Sequence, residues 1–240
     1  MIALFRTLIF APLAILATLI ASVLVLLTAV FPMCVRFAII RVWYSVVLGL
    51  CKTVLGLRYR LLGREHIPPG ACVVLAKHES AWETIALQQI FPPVVFVLKK
   101  SLLNIPLLGW AFIAVRMISI DRKAGRDALR QVAEQGQKRL AEGISVAIFP
   151  EGTRTLPGEI RRFKPGGAYL AVSAGAVAVP VAHNAGDFWS KRFAKRAGEI
   201  IVSVGPPIDP KGKTAEEVNR LAEAWISAEM QRIAPYRNRR

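Results

Sequence analysis

A chain of 240 residues has room for one substantial domain and an appendage, which excludes two large domains. Hydrophobic residues make up 54% of it while 20% is charged, so apolar and charged residues must be segregated along the sequence. With 32 Lys and Arg against 16 Asp and Glu, the net charge of +16 favours anionic partners: phospholipid surfaces, phosphorylated substrates or nucleic acid.

The segregation is visible from the start. Residues 1–57 contain no acid, and their only basic residues are Arg6, Arg36, Arg41 and Lys52. The uncharged stretch 7–35 is long enough to cross a hydrocarbon core, which needs about 20 apolar residues. It exceeds the roughly 7–15 residues of a signal-peptide core and ends in no small-x-small cleavage site, so a retained anchor is expected. A second apolar stretch, 37–57, carries Arg41, Trp43, Tyr44 and Lys52 and suits an interfacial helix or the return arm of a hairpin. A buried helix of the soluble domain is the alternative. Beside an apolar N-terminus the positive charge points to anionic membrane lipid and away from nucleic acid. The basic run Arg237-Asn238-Arg239-Arg240 could add to that attraction.

From residue 58 onward strand-like and helix-like segments alternate. Residues 58–62 and 72–76 read as strands, the second a continuous apolar run of the buried type, with turn chemistry at Ile67-Pro68-Pro69-Gly70 between them. Residues 81–90 read as a helix ending before Pro92-Pro93, and 94–98 as another strand. Helical spacing of Leu129, Val132, Ala133, Gly136 and Leu140 predicts a helix over 126–140, followed by a strand over 144–149. A helix from Gly166, strands at 176–181 and 200–204, and a helix over 214–233 complete the pattern. Thr214 and Glu217 form a capping box for that last helix, and Val218, Leu221, Ala222, Trp225, Ile226, Met230 and Ile233 share one of its faces. The expected fold is α/β, a central mostly parallel sheet flanked by helices with an N-terminal membrane-embedded helical segment or hairpin. The expected division is an anchor over 1–57 and an α/β domain over 58–240.

Three cysteines, Cys34, Cys51 and Cys72, with no CxxC spacing argue against a disulfide framework or a zinc site. A catalytic domain facing the reducing cytoplasm from the inner membrane fits them.

The chemistry gathers at predicted strand ends. His78 and Glu83 are five residues apart, which on one helix separates them by roughly 140° at about 3.6 residues per turn. With His78 at the strand end and Glu83 on the first turn of the next helix, however, the carboxylate can curl back to the imidazole. It would fix the tautomer and leave the other ring nitrogen free to take a proton. Phe149-Pro150-Glu151-Gly152-Thr153-Arg154 follows the strand at 144–149 and offers free backbone N–H groups and a guanidinium fork for phosphate. Ile120-Asp121-Arg122 places another guanidinium at a strand end, and Val179-Pro180-Val181 ends a further strand, where the proline shapes either the pocket wall or only the core.

These four segments resemble, in order, the four blocks of the glycerolipid acyltransferase family. The family's His-x4-Asp is His78-x4-Glu83 here, one methylene longer but still a carboxylate. The apolar run ending in Arg is similar to 109–122, Phe-Pro-Glu-Gly-Thr-Arg is matched in full at 149–154, and the proline block at 179–181. The resemblance covers roughly residues 58–207, with Lys77 where the family often has Asn.

It implies transfer of a fatty acyl group from acyl-CoA or acyl carrier protein to the sn-2 hydroxyl of lysophosphatidic acid (1-acyl-sn-glycerol 3-phosphate), giving phosphatidic acid. His78, polarised by Glu83, would be the general base. Arg122, Arg154 and Lys100 would bind the acceptor phosphate alongside the loop residues Gly152 and Thr153, with Glu151 orienting an arginine or the glycerol. No metal or organic cofactor is implied. The absence of a Gly-x-Ser-x-Gly elbow and of a cysteine beside the histidine argues against a covalent acyl-enzyme, with Ser80 a minor candidate. Two alternatives stand beside this: another lyso-lipid acceptor such as a lyso-ornithine lipid, and a non-enzymatic membrane-tethered protein that binds anionic lipid.

Overall fold

The computed structural model describes residues 1–121, 125–159 and 161–239. Helix α1 (Ile2–Leu27) and helix α2 (Met33–Leu50) form an N-terminal hairpin. Strand β1 (Leu57–Leu62), strand β2 (Val73–Ala76), helix α3 (Trp82–Ile90) and strand β3 (Val94–Lys99) follow. Next come helix α4 (Leu108–Ala114), strand β4 (Ile118–Ile120), helix α5 (Arg126–Ala141) and strand β5 (Ser145–Ile148). Helix α6 (Gly166–Ala174), strand β6 (Ala178–His183), strand β7 (Gly198–Val204) and helix α7 (Ala215–Ile233) complete the chain order.

Among the described residues one seven-stranded sheet results, in the order β1-β7-β6-β2-β5-β3-β4. Every pairing is parallel except β6 with β7, so β1 and β7 run against the other five strands. At the centre, Leu75 of β2 lies opposite Ile148 on one side and Pro180 on the other. The C-terminal ends of β2, β3, β4 and β5 therefore open along one edge, where α/β folds assemble their sites.

The two faces of β2 show how the layers form. Val73 and Leu75 point into a core with Val132 of α5, Leu170 of α6, and Val218 and Ala222 of α7. Val74 and Ala76 point the other way, into a core with Trp82 and Leu87 of α3. That second core continues without a break into Phe10 and Val25 of α1 and Ile40, Tyr44 and Val47 of α2. A strand buried on both faces has no polar side to alternate with, which is why β2 reads as an unbroken apolar run. Where α5 crosses α6, a Cβ at Gly136 would fall 2.5 Å from Leu170 Cδ2, so any larger residue there would have to displace that buried side chain.

The hairpin is fastened to the α/β layers at both ends. The Lys195 N–H donates to Thr7 Oγ1 at 2.9 Å, Phe10 packs edge-on against Trp189 at 5.4 Å, and Arg36 donates to the Ala114 carbonyl. Thr7, Phe10, Ala14, Ala17, Thr18, Ser22 and Val25 form the covered stripe of α1, while Phe5, Leu8, Leu16, Ile20, Val23 and Leu27 are exposed. Apart from Phe10 and Val25, the covered stripe consists of small and hydroxyl side chains, while most of the large apolar ones face outward.

The expected strands and helices all form, and the capping box at Thr214 and Glu217 is made in both directions. Within the stretch that resembles the family's second block, the strand expected to end at Ile120 forms as β4. Helix α4 occupies the first part of that stretch, and Arg116 at φ 56 turns the chain into β4. Replacing Thr214 with Ala removes the side-chain acceptor of the Glu217 N–H and should cost about 1 kcal/mol. A Tm lowered by roughly 2–4 °C in a thermal melt is the expected result.

Candidate active site

The chain leaves β2 at Ala76 and enters α3 at Trp82, and the five residues between are ordered by one carboxylate. Glu83 is 1% exposed on the first turn of α3. Its Oε1 lies 2.8 Å from His78 Nδ1 and accepts from the N–H groups of Glu79 at 3.0 Å and Ser80 at 2.8 Å. Its Oε2 accepts from the Ser80 hydroxyl. Burial alone would push this carboxyl up. The neighbouring imidazoles of His183 and His78 and the Ser80 donor more than offset it, and the pKa is lowered to about 2. An ionised carboxylate can only accept, so His78 Nδ1 carries the proton of that hydrogen bond and Nε2 is left with a free lone pair. That nitrogen is a proton acceptor with its orientation already set.

The imidazole also rests on a shelf. The Phe149 ring stacks on it at 4.0 Å between centroids and 14° between planes, and Phe96 stacks behind Phe149 at 5.9 Å. Phe149 opens the second motif, so the strand end of β5 supplies a wall for the histidine presented by β2.

Lys77 and Glu79 turn away from His78, their charged ends 3.9 Å apart. Lys77 is 6% exposed and donates to Glu151, to Thr155 Oγ1 at 2.8 Å and to the Glu159 carbonyl at 3.2 Å. The other Glu151 oxygen accepts the His78 N–H at 2.7 Å. Burial pushes the Glu151 carboxyl above its ordinary range while Lys77 and the His78 N–H pull it back. Thr155 N–H donates to the His78 carbonyl at 2.8 Å, and His183 Nε2 lies 2.7 Å from the Lys77 carbonyl. The main chain on both sides of His78 is thereby pinned to the loop after β5 and to the end of β6.

His78 opens into a cleft of about 410 Å³ whose other walls are almost wholly apolar. Ser22 and Val25 of α1, Trp43 of α2, Phe96 of β3 and Ala111 and Phe112 of α4 line it, and Arg154 stands on its wall. The cleft lies between the N-terminal hairpin and the sheet edge, and its size is that of an ordinary ligand pocket.

Of the residues singled out from sequence, His78, Glu83 and Arg154 meet here. Glu151 is buried behind His78 and bound to Lys77, not to an arginine. Gly152, at φ 70, shapes the loop and lines a neighbouring cleft with Lys164, and Thr153 is exposed. Lys100 is exposed in the short turn after β3 and lies outside the residues lining the His78 cleft. Arg122 lies outside the described residues. Ser80 is buried with its hydroxyl given to Glu83, so it is not presented to the cleft as a nucleophile. Pro180 lies within β6, and its ring meets the space above Gly205, away from the cleft. Sequence reasoning missed Phe149 as the shelf for His78 and Thr155 as a clamp. Adjacency of both to the matched motif was the available signal.

A family model described as Acyltransferase matches residues 58–184. The 1-acyl-sn-glycerol-3-phosphate acyltransferase of Pseudomonas aeruginosa is 42% identical over 205 residues, covering 84% of this chain and 80% of that one. The human 1-acyl-sn-glycerol-3-phosphate acyltransferase alpha is 33% identical over 176 residues, covering 72% of this chain and 62% of that one. Among solved structures, the 1-acyl-sn-glycerophosphate (LPA) acyltransferase PlsC from Thermotoga maritima matches with a TM-score of 0.80 over 95% of both chains. Its identity is 23%, so that likeness bears on the fold.

The site carries a pH signature. A carboxyl lowered from 4.5 to about 2 on folding contributes stability that is complete above its unfolded value and is lost as pH falls toward the folded one. Between about pH 5 and about pH 3 the Tm of the wild type should therefore fall more steeply than that of Glu83→Gln. Parallel slopes in the two melts would mean that Glu83 is not held ionised.

Proposed function

The chain belongs to the acyltransferase family, and on that premise we propose that it acylates the sn-2 hydroxyl of lysophosphatidic acid, giving phosphatidic acid. The donor is an acyl thioester, acyl-CoA or acyl carrier protein. One observation carries the reading: His78 Nδ1 is tied to a buried carboxylate 2.8 Å away while the imidazole lines an apolar cleft. Nε2 takes the hydroxyl proton as the oxygen attacks the thioester carbonyl, so the base strengthens a nucleophile whose own pKa is far above neutrality. The C–O bond forms, the C–S bond breaks, and the proton on His78 passes to the departing thiolate. His78 and Glu83 are thus the catalytic pair.

The cleft suits an acyl chain, because apolar surface buried there gains about 25 cal/mol per Å². Arg154 at its edge suits the acceptor phosphate. Residues 1–57 are read as the membrane anchor and 58–240 as the acyltransferase domain.

Both apolar helices, Ile2–Leu27 and Met33–Leu55, are long enough to cross a membrane by length and composition. The large side chains facing outward on α1 support a lipid environment, since water would disfavour so continuous an apolar face. Its inward stripe runs from Thr7 to Val25, about 27 Å at 1.5 Å per residue, and meets the α/β layers at both ends. That supports a hairpin lying in one leaflet beside the cleft, so that a lyso-lipid reaches His78 without leaving the bilayer. The exposed run Lys191-Arg192-Phe193, next to Trp189 and the start of α1, supports attraction to anionic lipid. The location proposed is the inner membrane, with the catalytic domain on the cytoplasmic side.

His78→Ala, assayed in lysophosphatidate micelles for thiol release and labelled phosphatidate together, should lose at least about a hundredfold in kcat while remaining folded. Product only from other lyso-lipids would keep the chemistry and overturn the acceptor. Filling the cleft with Ala111→Leu should shift donor preference toward shorter acyl chains, measured as the ratio of kcat/KM values across a chain-length series. An unchanged ratio would remove the acyl chain from this cleft.

A further inference from the structure

Behind the catalytic histidine, five charged side chains alternate in sign: Glu151, Lys77, Glu79, Arg237 and Asp187. Lys77 joins the first two carboxylates, paired with Glu151 and 3.9 Å from Glu79 Oε1. Arg237 joins the next two. Its Nη1 and Nη2 donate to Glu79 Oε1 and Oε2 at 2.9 and 3.0 Å, a two-pronged fork, and Nη2 also reaches Asp187 Oδ2 at 2.7 Å. The Glu79 residue is 1% exposed and the Arg237 side chain 10%. Glu79 and Asp187 favour the guanidinium cation more than burial disfavours it. The segment that carries Arg237 is itself held, since Tyr236 donates to Asp187 at 2.6 Å and accepts from Asn184 at 3.2 Å.

We propose that Arg237, which arrives from the short turn Pro235–Arg239 after α7, is a positioning residue for His78. The inference rests on the reading of His78 as the base. Glu79 is the residue between His78 and the α3 turn, and its N–H is one of the three that hold Glu83 Oε1 together with His78 Nδ1 and Ser80 N. A carboxylate this deeply buried needs a partner cation. Without Arg237 its nearest donors are the Gly186 N–H at 3.2 Å and Lys77, already committed to Glu151. The Gly186 backbone lies close on that side, since a Cβ there would fall 2.8 Å from Glu79 Oε2. A stranded Glu79 side chain must turn or take water, and either movement drags the N–H that fixes Glu83 and thus the imidazole. Arg237 touches no reacting atom and acts through Glu79.

The experiment measures kcat, both KM values and Tm for wild type, Arg237→Gln, Arg237→Lys, Glu79→Gln, the double variant Glu79→Gln/Arg237→Gln, and His78→Ala. Misplacing a catalytic group by about 1 Å costs on the order of a hundredfold, so Arg237→Gln should lower kcat by about 10–100-fold with both KM values nearly unchanged. Arg237→Lys keeps the charge and loses the fork, and should retain more activity than Arg237→Gln. The double variant removes the buried Glu79 carboxylate together with its cation, leaving the less buried Asp187 to the Tyr236 hydroxyl, and should recover about tenfold over Arg237→Gln. A role in stability alone would lower Tm in the single variants and leave the kcat of the folded protein intact. Folded Arg237→Gln with wild-type kcat, or a double variant no better than the single, overturns the proposal. If His78→Ala stays active, the base assignment falls instead, and the same plate of assays separates the two failures.

Discussion

A carboxylate buried at the end of a parallel sheet has to find its hydrogen-bond donors close by, and Glu83 finds them in the turn it closes. Two backbone N–H groups, a hydroxyl and an imidazole N–H converge on its two oxygens. Each donor alone is worth little, but leaving a buried carboxylate without them would cost several kcal/mol. The turn from β2 to α3 therefore has one low-energy shape, and the orientation of His78 comes with it. Everything the cleft can do depends on that constraint, because a base acts only at the nitrogen that its partner leaves free.

The same logic repeats one layer deeper. Lys77 and Glu79, on either side of His78, are each neutralised by a partner from a distant part of the chain: Glu151 after β5 and Arg237 after α7. Buried ion pairs add little net stability, since desolvation takes back most of the attraction. Their value lies in geometry: breaking one leaves a charge that must move. The histidine is thus set by segments far apart in the chain, and the stacked Phe149 ring leaves it little freedom to rotate.

The apolar hairpin is part of the site as well as of the N-terminus. Val25, Trp43 and their neighbours form one wall of the cleft while the opposite face of α1 stays apolar and exposed. One wall of the cleft that holds His78 is thus made by a helix whose other face is apolar and exposed. On its covered face the hydroxyls of Thr7, Thr18 and Ser22 donate to carbonyls one turn back in their own helix, and Thr7 and Thr18 also accept from Lys195 N–H and Trp43 Nε1.

Much of this was legible in the residues. Continuous apolar runs such as 72–76 mark strands buried on both faces, and Thr214 with Glu217 marks a helix start, because such signals depend on neighbours in sequence. His78 and Glu83 could be paired from their spacing, since the turn between them is local. Local chemistry by itself determined the alternation of elements, the apolar N-terminus and the histidine–carboxylate pair. Tertiary structure alone decided what distance along the chain conceals. Lys77 could not be assigned to Glu151, nor Glu79 to Arg237 across 158 residues, until the sheet order brought them together. The reversed run of β1 and β7, the helix α4 that precedes β4, and the cleft between hairpin and sheet edge belong to the same class. A buried charge takes the partner that packing brings within reach, and packing is set by the whole fold.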